Sequence, residues 1–215
     1  MSKFVLWFVK LTGWLPEIFA FRRKTYYVNK KSQSRKIKGK AIIVSNHNTI
    51  YDVPMVMFLF PFRDLYFLAA EVLYQKTKLF SWFLNKIGAI KVDRYSNDFS
   101  FINKSIDVLN KGKVLEVYPE SRLPKEGEER PLPFKPSTVY IALKANAPIV
   151  PIYSDGNMFK KSRCHVIIGE KIYLSELYDN SKSEKDNIEF LNDFLRNKII
   201  ELGNILNERT RKKEK

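Results

Sequence analysis

The sequence predicts an α/β fold in which helices flank a mixed, largely parallel sheet. Short apolar runs alternate along the chain with stretches of helical spacing, an order that is typical of strand–helix units. Several of the runs lack polar alternation, which indicates strands that are buried on both faces. With 215 residues, the chain is long enough to bury roughly 70% of its unfolded surface in one core.

Six apolar runs are predicted as strands, and in chain order they cover residues 41–45, 65–69, 89–93, 114–118, 149–153 and 164–168. Helical spacing or capping residues predict helices between them, over residues 53–60, 77–87, 98–110 and 137–146. Apolar residues then recur at intervals of three or four over residues 184–208. This last segment is predicted as a long amphipathic helix that docks on the body.

The formal net charge of +15 is concentrated at the two ends of the chain. Residues 1–40 hold 11 basic side chains and one acidic side chain, and residues 209–215 hold five and one. Residues 41–208, the body, are therefore nearly neutral. A broad basic groove for nucleic acid would draw its Lys and Arg from the body, so we expect no nucleic-acid partner.

Residues 4–21 form an apolar, aromatic segment that is interrupted by Lys10, Pro16 and Glu17. A membrane-spanning helix needs about 20 predominantly apolar residues, and Pro16 is expected to divide this segment into two short helices. A simple transmembrane span is therefore disfavoured. A signal peptide fits poorly as well, because the basic cluster follows the apolar stretch and no small-residue cleavage site is present.

Residues 22–40 add nine Lys or Arg side chains and no acidic one. An apolar segment with tryptophans, joined to a polybasic stretch, carries the two signals that stable attachment to an anionic leaflet requires. We therefore expect residues 1–40 to be a membrane-anchoring segment, peripheral or monotopic on the cytoplasmic face of the cell membrane. The alternative is a core helix pair followed by a solvated linker. The basic tail, residues 209–215, fits lipid contact or a frayed helix end equally well.

His47 follows the first predicted strand of the body, and Asp52 comes five positions later, just before an apolar helix. Ligands gather at the carboxyl ends of strands in parallel α/β sheets, where His47 is expected to lie. We expect Asp52 to cap the helix while its second oxygen holds one imidazole nitrogen, which fixes the tautomer and stabilises an imidazolium. The alternative is a chance spacing with a merely local hydrogen bond.

A nucleophile for covalent catalysis is missing from the sequence. There is no G-x-S-x-G elbow, and the single cysteine, Cys164, falls inside a predicted strand. Together with only two histidines, this cysteine also leaves too few soft ligands for a zinc site. A base and its orienting partner without a nucleophile fit the activation of a hydroxyl group on the substrate itself. His165, in the apolar run CHVII, is expected to be a structural histidine.

Three further passages accompany SNHNTIYD, residues 45–52: GAIKVDR at 88–94, YPESR at 118–122 and NAPIVPIY at 146–153. In order and approximate spacing, the four passages resemble the four blocks of the glycerolipid acyltransferase family, the 1-acylglycerol-3-phosphate acyltransferases and their relatives. The resemblance covers roughly residues 41–170. It implies that the body, residues 41–208, is an acyltransferase domain.

By this resemblance, His47 would be the general base that deprotonates the acceptor hydroxyl, and Asp52 would orient it. The glycerol-phosphate head of the acceptor would be bound by four side chains, Arg94, Glu120, Arg122 and Lys91. Guanidinium groups suit phosphate because they offer forked donors, while a carboxylate can hold a glycerol hydroxyl or fix one Arg. The alternative for Arg94 and Arg122 is a surface ion pair with a neighbouring Asp93 or Glu120.

The resemblance implies transfer of a fatty acyl group from acyl-CoA or acyl carrier protein to a lysophospholipid, with 1-acylglycerol-3-phosphate as the expected acceptor and phosphatidic acid as the product. No metal or bound cofactor is implied, because a thioester is already activated. One departure concerns the third block, which usually reads Phe-Pro-Glu-Gly-Thr-Arg, whereas only Ser121 separates Glu120 from Arg122 here. Glycerol-3-phosphate or another lysolipid therefore stays open as the acceptor, as does a non-catalytic protein that binds anionic lipid or nucleic acid.

Overall fold

The structure, a computed structural model, describes residues 1–93 and 99–214, with side chains as far as residue 211. Within these residues seven strands form one sheet: β1 (Lys24–Tyr27), β2 (Ala41–Ser45), β3 (Leu65–Ala70), β4 (Ala89–Val92), β5 (Val114–Val117), β6 (Ile149–Ser154) and β7 (His165–Ile168). The α-helices of the same described residues are α1 (Lys3–Phe21), α2 (Asp52–Leu59), α3 (Lys78–Ile87), α4 (Ser100–Asn110), α5 (Ser137–Lys144) and α6 (Glu184–Glu214). Short 3-10 helices cover Glu71–Gln75 and Leu174–Leu177.

The sheet has the order β1-β7-β6-β2-β5-β3-β4, and its neighbouring strands run parallel except for the antiparallel pair β6 and β7. The prediction of a mixed, largely parallel sheet is confirmed. Strands β2, β5 and β6 are adjacent and parallel, so the loops that follow them meet at one edge of the sheet. We call this edge the carboxyl edge.

Helices cover both faces of the sheet, which gives the flanked arrangement that the sequence predicts. One face packs against α4, α5 and α6 through side chains such as Leu109, Val139 and Leu195. The other face packs against α1 and α2, where Phe21 and Met55 are buried. Most core side chains are thus supplied by a strand or by the apolar stripe of a helix.

Strand β1 was not expected, because it lies inside the basic stretch of residues 22–40. It forms an edge of the sheet by pairing in parallel with β7. Two arginines that flank it hold the C-terminal end of α2: Arg23 donates to Met55 O (3.2 Å), and Arg35 Nε donates to Leu59 O (2.7 Å). Cations stabilise the carbonyl end of a helix, so part of the basic stretch has a structural role.

The prediction that Pro16 divides the N-terminal segment is wrong, because α1 is one helix over Lys3–Phe21. Proline in a helix interior costs about 3 kcal/mol. Packing along the whole helix offsets this cost, since α1 contacts α2 and α3 and buries Leu6 and Phe21 near its two ends. Tertiary contacts therefore outweigh the local preference.

Helix α1 presents Lys10 and Glu17 to the body and most of its large apolar side chains to the outside. Lys10 Nζ donates to Pro61 O (2.8 Å) and Arg63 O (2.7 Å), and Glu17 pairs with Arg23 at 2.6 Å. The opposite face exposes the large apolar side chains Phe4, Trp7, Phe8, Leu11, Trp14, Leu15 and Phe19. Among the described residues, α1 is the one helix whose length and composition would allow it to cross a membrane, and only 22% of its apolar stretch is buried in the protein.

Candidate active site

His47 and Asp52 lie in contact at the carboxyl edge, in the loop between β2 and α2. His47 Nδ1 is 2.9 Å from Asp52 Oδ2, and the Asp52 side chain is 1% exposed while that of His47 is 16% exposed. A carboxylate only accepts hydrogen bonds, so Nδ1 carries the hydrogen and Nε2 is left as the basic nitrogen. In the described part of the chain, Nε2 has no hydrogen-bond partner.

The way in which Asp52 holds this loop differs from the expectation. Asp52 is the first residue of α2, and its side chain does not cap that helix. Instead, the single oxygen Oδ2 accepts from His47 Nδ1 and from the backbone N–H groups of Asn48 (2.7 Å) and Thr49 (2.8 Å). The other oxygen, Oδ1, is buried and has no hydrogen-bond partner among the residues that the structure describes. The carboxylate therefore folds the loop around itself, and this contact fixes the position of His47.

Two asparagines that flank His47 fasten its loop to the end of β6. Asn46 Nδ2 donates to Ser154 O (2.9 Å), and Asn46 Oδ1 accepts the N–H of Ser154 (2.9 Å). Asn48 Nδ2 donates to the same Ser154 carbonyl. Gly156 follows with a positive φ of 70°, and a Cβ at that position would lie 2.8 Å from Asn48 Cβ. The sequence signal for these contacts was the polar run that directly follows a buried strand.

Glu120, predicted to bind substrate, contacts backbone groups of the protein with both of its carboxyl oxygens. Oε1 accepts the N–H of His47 (2.8 Å), and Oε2 accepts the N–H of Leu132 (2.8 Å). The residue is 4% exposed, and burial raises the pKa of its carboxyl group, against the effect of these two hydrogen bonds. In this structure Glu120 thus holds the backbone of His47 across the β2–β5 boundary.

Tyr118 and Glu116 were not singled out by the sequence, yet they lie directly beside His47. The Tyr118 ring stacks on the imidazole with 4.4 Å between ring centroids and 28° between the planes. The Tyr118 hydroxyl donates to Glu116 Oε1, and Glu116 is completely buried in β5. A signal was present, since Glu116 is the one charged residue in the buried strand VLEV.

The remaining predicted contacts lie at the surface. Arg122 donates two hydrogen bonds of 2.7 Å to the two carboxylate oxygens of Glu128, so its ion-pair partner is neither Asp93 nor Glu120 as the alternative supposed. Lys91 is 48% exposed and pairs with Glu71 at 2.6 Å. Arg94 lies outside the described residues. The structure therefore brings His47, Asp52 and Glu120 together, and it leaves Arg122 and Lys91 in separate surface pairs.

A second histidine–aspartate pair lies at the same edge. His165 Nδ1 is 3.0 Å from Asp155 Oδ2, and both side chains are partly exposed. The neighbouring Cys164 is buried, and burial raises the pKa of its thiol to about 12, so the thiolate is not available at neutral pH. Within the described residues, no group of three or more His, Cys, Asp or Glu side chains could hold a metal ion.

The site can therefore act as a base without a protein nucleophile, at the end of a strand in an α/β sheet. A family model described as Acyltransferase matches residues 24–155, which is more than half of the chain. The chain belongs to the Acyltransferase family. The resemblance of its four sequence blocks to the glycerolipid acyltransferases is confirmed, and the match includes His47, Asp52 and Glu120.

Two proteins similar to this chain are named 1-acyl-sn-glycerol-3-phosphate acyltransferase. It is 31% identical over 127 residues to the 1-acyl-sn-glycerol-3-phosphate acyltransferase of Limnanthes alba, a match that covers 57% of this chain and 43% of that protein. It is 30% identical over 121 residues to the enzyme of the same name from Cocos nucifera, covering 54% and 38%. The chain thus matches less than half of the length of these relatives.

A solved structure has the same fold. The 1-acyl-sn-glycerophosphate (LPA) acyltransferase PlsC from Thermotoga maritima superposes with a TM-score of 0.65 at 19% sequence identity, over 94% of this chain and 80% of that one. The α/β architecture is therefore that of a known acyltransferase fold.

Proposed function

We propose that this protein transfers a fatty acyl group from a thioester, acyl-CoA or acyl carrier protein, to the free hydroxyl of 1-acylglycerol-3-phosphate. The observation that carries the proposal is the contact between His47 and buried Asp52 in the first sequence block of an Acyltransferase family member. The names of the plant relatives support the choice of acceptor. The product would be phosphatidic acid, an intermediate of phospholipid biosynthesis.

In the proposed mechanism, the acceptor hydroxyl donates its proton to His47 Nε2 while its oxygen attacks the thioester carbonyl carbon. A new C–O bond forms, the C–S bond breaks, and the leaving thiolate takes the proton from the imidazolium. Asp52 stabilises the imidazolium through the 2.9 Å contact with Nδ1. No acyl-enzyme is invoked, since the only cysteine is a buried thiol and the substrate supplies the attacking oxygen.

The acceptor phosphate is proposed to contact the basic side chains of the second and third blocks, Lys91, Arg94 and Arg122. Arg122 is already charge-paired with Glu128, and a phosphate group would have to compete with that carboxylate. Because the shortened third block changes the spacing between Glu120 and Arg122, glycerol-3-phosphate or another lysolipid is the second candidate acceptor.

The decisive experiment uses the purified full-length chain with a panel of acceptors and labelled acyl donors. We expect a labelled product with a phosphatidic acid headgroup from 1-acylglycerol-3-phosphate. A product from a different acceptor would change the substrate but keep the reaction class. No thioester-dependent product with any acceptor would contradict the proposal and favour a protein that only binds anionic lipid.

We further propose that the enzyme works as a monotopic protein on an anionic membrane surface, with acyl donor arriving from the cytoplasmic side. Helix α1 supports this proposal. Its side chains Lys10 and Glu17 bind groups of the body, so the helix lies along the protein with its apolar face outward. This arrangement suits a helix that lies in the membrane interface rather than one that crosses the membrane. A cavity of about 430 Å³ lies at the C-terminal end of α1, and the arginines that line it place positive charge beside the apolar face. It is lined by Glu17, Ile18, Phe19, Arg22, Arg23 and Arg163.

The surface attachment is tested by vesicle sedimentation with phosphatidylglycerol-containing vesicles. Replacing Trp7 and Trp14 by Ser should weaken binding about tenfold or more, because each exposed ring would lose burial in the interface. A matched control replaces the exposed Tyr173 and Phe190, which lie away from α1, by Ser. Equal binding of the two double variants would contradict the role of α1.

A further inference from the structure

Two buried carboxyl groups adjoin His47, Asp52 by direct contact and Glu116 through the Tyr118 ring that stacks on the imidazole, and they have different hydrogen-bond partners. Asp52 Oδ2 accepts three hydrogen bonds, from His47 Nδ1 and from two backbone N–H groups, whereas within the described residues Glu116 accepts one, from the Tyr118 hydroxyl. Glu116 has no exposed surface, and no described residue forms a hydrogen bond with its second oxygen. Its neighbours in the adjacent strands are the apolar residues Ile43 and Phe67.

These surroundings favour the charged form of Asp52 and the protonated form of Glu116. Hydrogen bonds to a carboxylate stabilise its charged form, while burial without a cation stabilises the protonated acid. Burial raises the pKa of Glu116 well above its ordinary value, and the negative charge of Asp52 raises it further, whereas the Tyr118 hydrogen bond acts in the opposite direction.

We propose that Glu116 is held as a neutral carboxylic acid that anchors the Tyr118 hydroxyl, so that the Tyr118 ring stays stacked on His47 and positions the base. The titratable groups facing Glu116 are Tyr118, from the loop after β5, and Asp52, from α2. Glu116 and Tyr118 touch no substrate in this arrangement and act through His47. The inference rests on the proposed role of His47 as the base.

Neutrality of Glu116 has a consequence for catalysis. A second negative charge beneath the imidazole would stabilise the imidazolium, and a protonated His47 cannot accept the hydroxyl proton. With Glu116 neutral, Asp52 supplies the charge that stabilises the imidazolium once it forms. The Tyr118 hydroxyl takes part in this arrangement, because it donates to the buried Glu116 Oε1 while its ring stacks on the imidazole.

The charge state is tested by stability, without any need for activity. Above about pH 4.5 an unfolded Glu loses its proton while a neutral Glu116 keeps it, so the folded state becomes progressively less favoured as pH rises. The ratio of the unfolding constants of the wild type and Glu116→Gln should therefore rise about tenfold per pH unit. In Glu126→Gln, which alters an exposed Glu in the loop after β5, the ratio should stay flat. If the unfolding constants of the wild type and Glu116→Gln depend on pH in the same way, the proposal is overturned.

A second measurement covers the case in which Glu116→Gln does not fold. The wild type at neutral pH should show the infrared carbonyl band of a protonated carboxylic acid, and absence of that band would overturn the proposal. Where the variant folds, loss of the band assigns it to Glu116, and its persistence would contradict the assignment.

The positioning role is tested by kinetics on the acyl-transfer reaction. Tyr118→Leu, which removes the stacked ring, should lower kcat by about tenfold or more and leave the KM of the acyl donor nearly unchanged. A plot of kcat against pH falls on its acidic side as His47 becomes protonated. The midpoint of this fall should be the same in Glu116→Gln as in the wild type, and a shift to lower pH would show that Glu116 was charged. If no variant and no wild type transfers acyl groups, the proposed function fails, while the stability and infrared results still decide the state of Glu116.

Discussion

The two histidine–aspartate pairs at the carboxyl edge have almost the same geometry but different surroundings. The distances between Nδ1 and the carboxylate are 2.9 Å for His47 and 3.0 Å for His165, and the two imidazoles are 16% and 19% exposed. Asp52, however, is 1% exposed, whereas Asp155 is 18% exposed. A close histidine–aspartate contact is therefore not by itself the feature that marks a catalytic base.

The difference lies in how many other groups fix each pair. The imidazole of His47 is stacked on Tyr118, its backbone N–H is held by Glu120, and its carboxylate partner also binds two backbone N–H groups. His165 begins β7 and lies at a tilt to the Tyr26 ring, with 5.8 Å between ring centroids. Catalysis depends on such preorganisation more than on the pair distance, since misplacement of a reacting group by about 1 Å can cost two orders of magnitude in rate.

The largest expected effect separates the two histidines. His47→Ala should lower kcat by about 10³-fold, in line with the usual contribution of general acid–base catalysis, whereas His165→Ala should change it by less than about threefold. Acyl transfer to lysophosphatidate measures both, and circular dichroism checks that each variant is folded. Full activity in folded His47→Ala would contradict the assignment of the base, and a large loss in His165→Ala would make the second pair part of the site.

Replacing the aspartates should also lower kcat more at Asp52 than at Asp155, by a smaller factor than for the histidines. Asp52→Asn should lower kcat by about 10²-fold, because the amide cannot stabilise an imidazolium as a carboxylate does. Asp155→Asn has the same change in charge and shape at a more exposed position, so it serves as the matched control and should stay within a fewfold of the wild type. Similar losses in the two variants would show that the charge at this edge matters rather than the pair.

The sequence predicted the His47 pair because its members are five positions apart in a single loop. It also predicted most strands, for example β2 and β6, because their apolar runs end at polar residues. It did not predict β1, whose basic and aromatic residues carry no apolar run and become a strand only by pairing with β7. Likewise, α1 is continuous through Pro16 because of tertiary packing.

The partners that distinguish the two pairs could not be predicted from the local sequence. Glu120 and Tyr118 reach His47 only because β5 lies next to β2, although the two strands are far apart in the chain. Strand order depends on how the helices pack over the sheet, and sequence periodicity does not report it. For the same reason the resemblance assigned Glu120 to the substrate, while its carboxyl oxygens in this structure contact backbone N–H groups.

Glu120→Gln tests this reassignment. An amide has one acceptor oxygen, so its NH₂ group would face a backbone N–H donor of either His47 or Leu132. We expect the free energy of unfolding to fall by about 1–3 kcal/mol, and kcat to fall while the acceptor KM stays nearly constant. Urea denaturation and steady-state kinetics measure these, with Glu126→Gln as the exposed control in the same loop. A rise in acceptor KM alone would instead support the substrate-binding role.

The smallest expected effect concerns Ser121, which joins Glu120 to Arg122 in the shortened third block. Its φ of 62° lies in the left-handed region, where a side chain costs roughly 1–2 kcal/mol. Ser121→Gly should therefore raise the free energy of unfolding by about 0.5 kcal/mol, after the greater flexibility of glycine in the unfolded chain is subtracted. Ser162→Gly, in the loop before His165 and without a positive φ, should lower it by a similar amount. Urea denaturation of both variants measures the difference, and equal signs would show that the left-handed backbone of Ser121 does not strain the loop after β5.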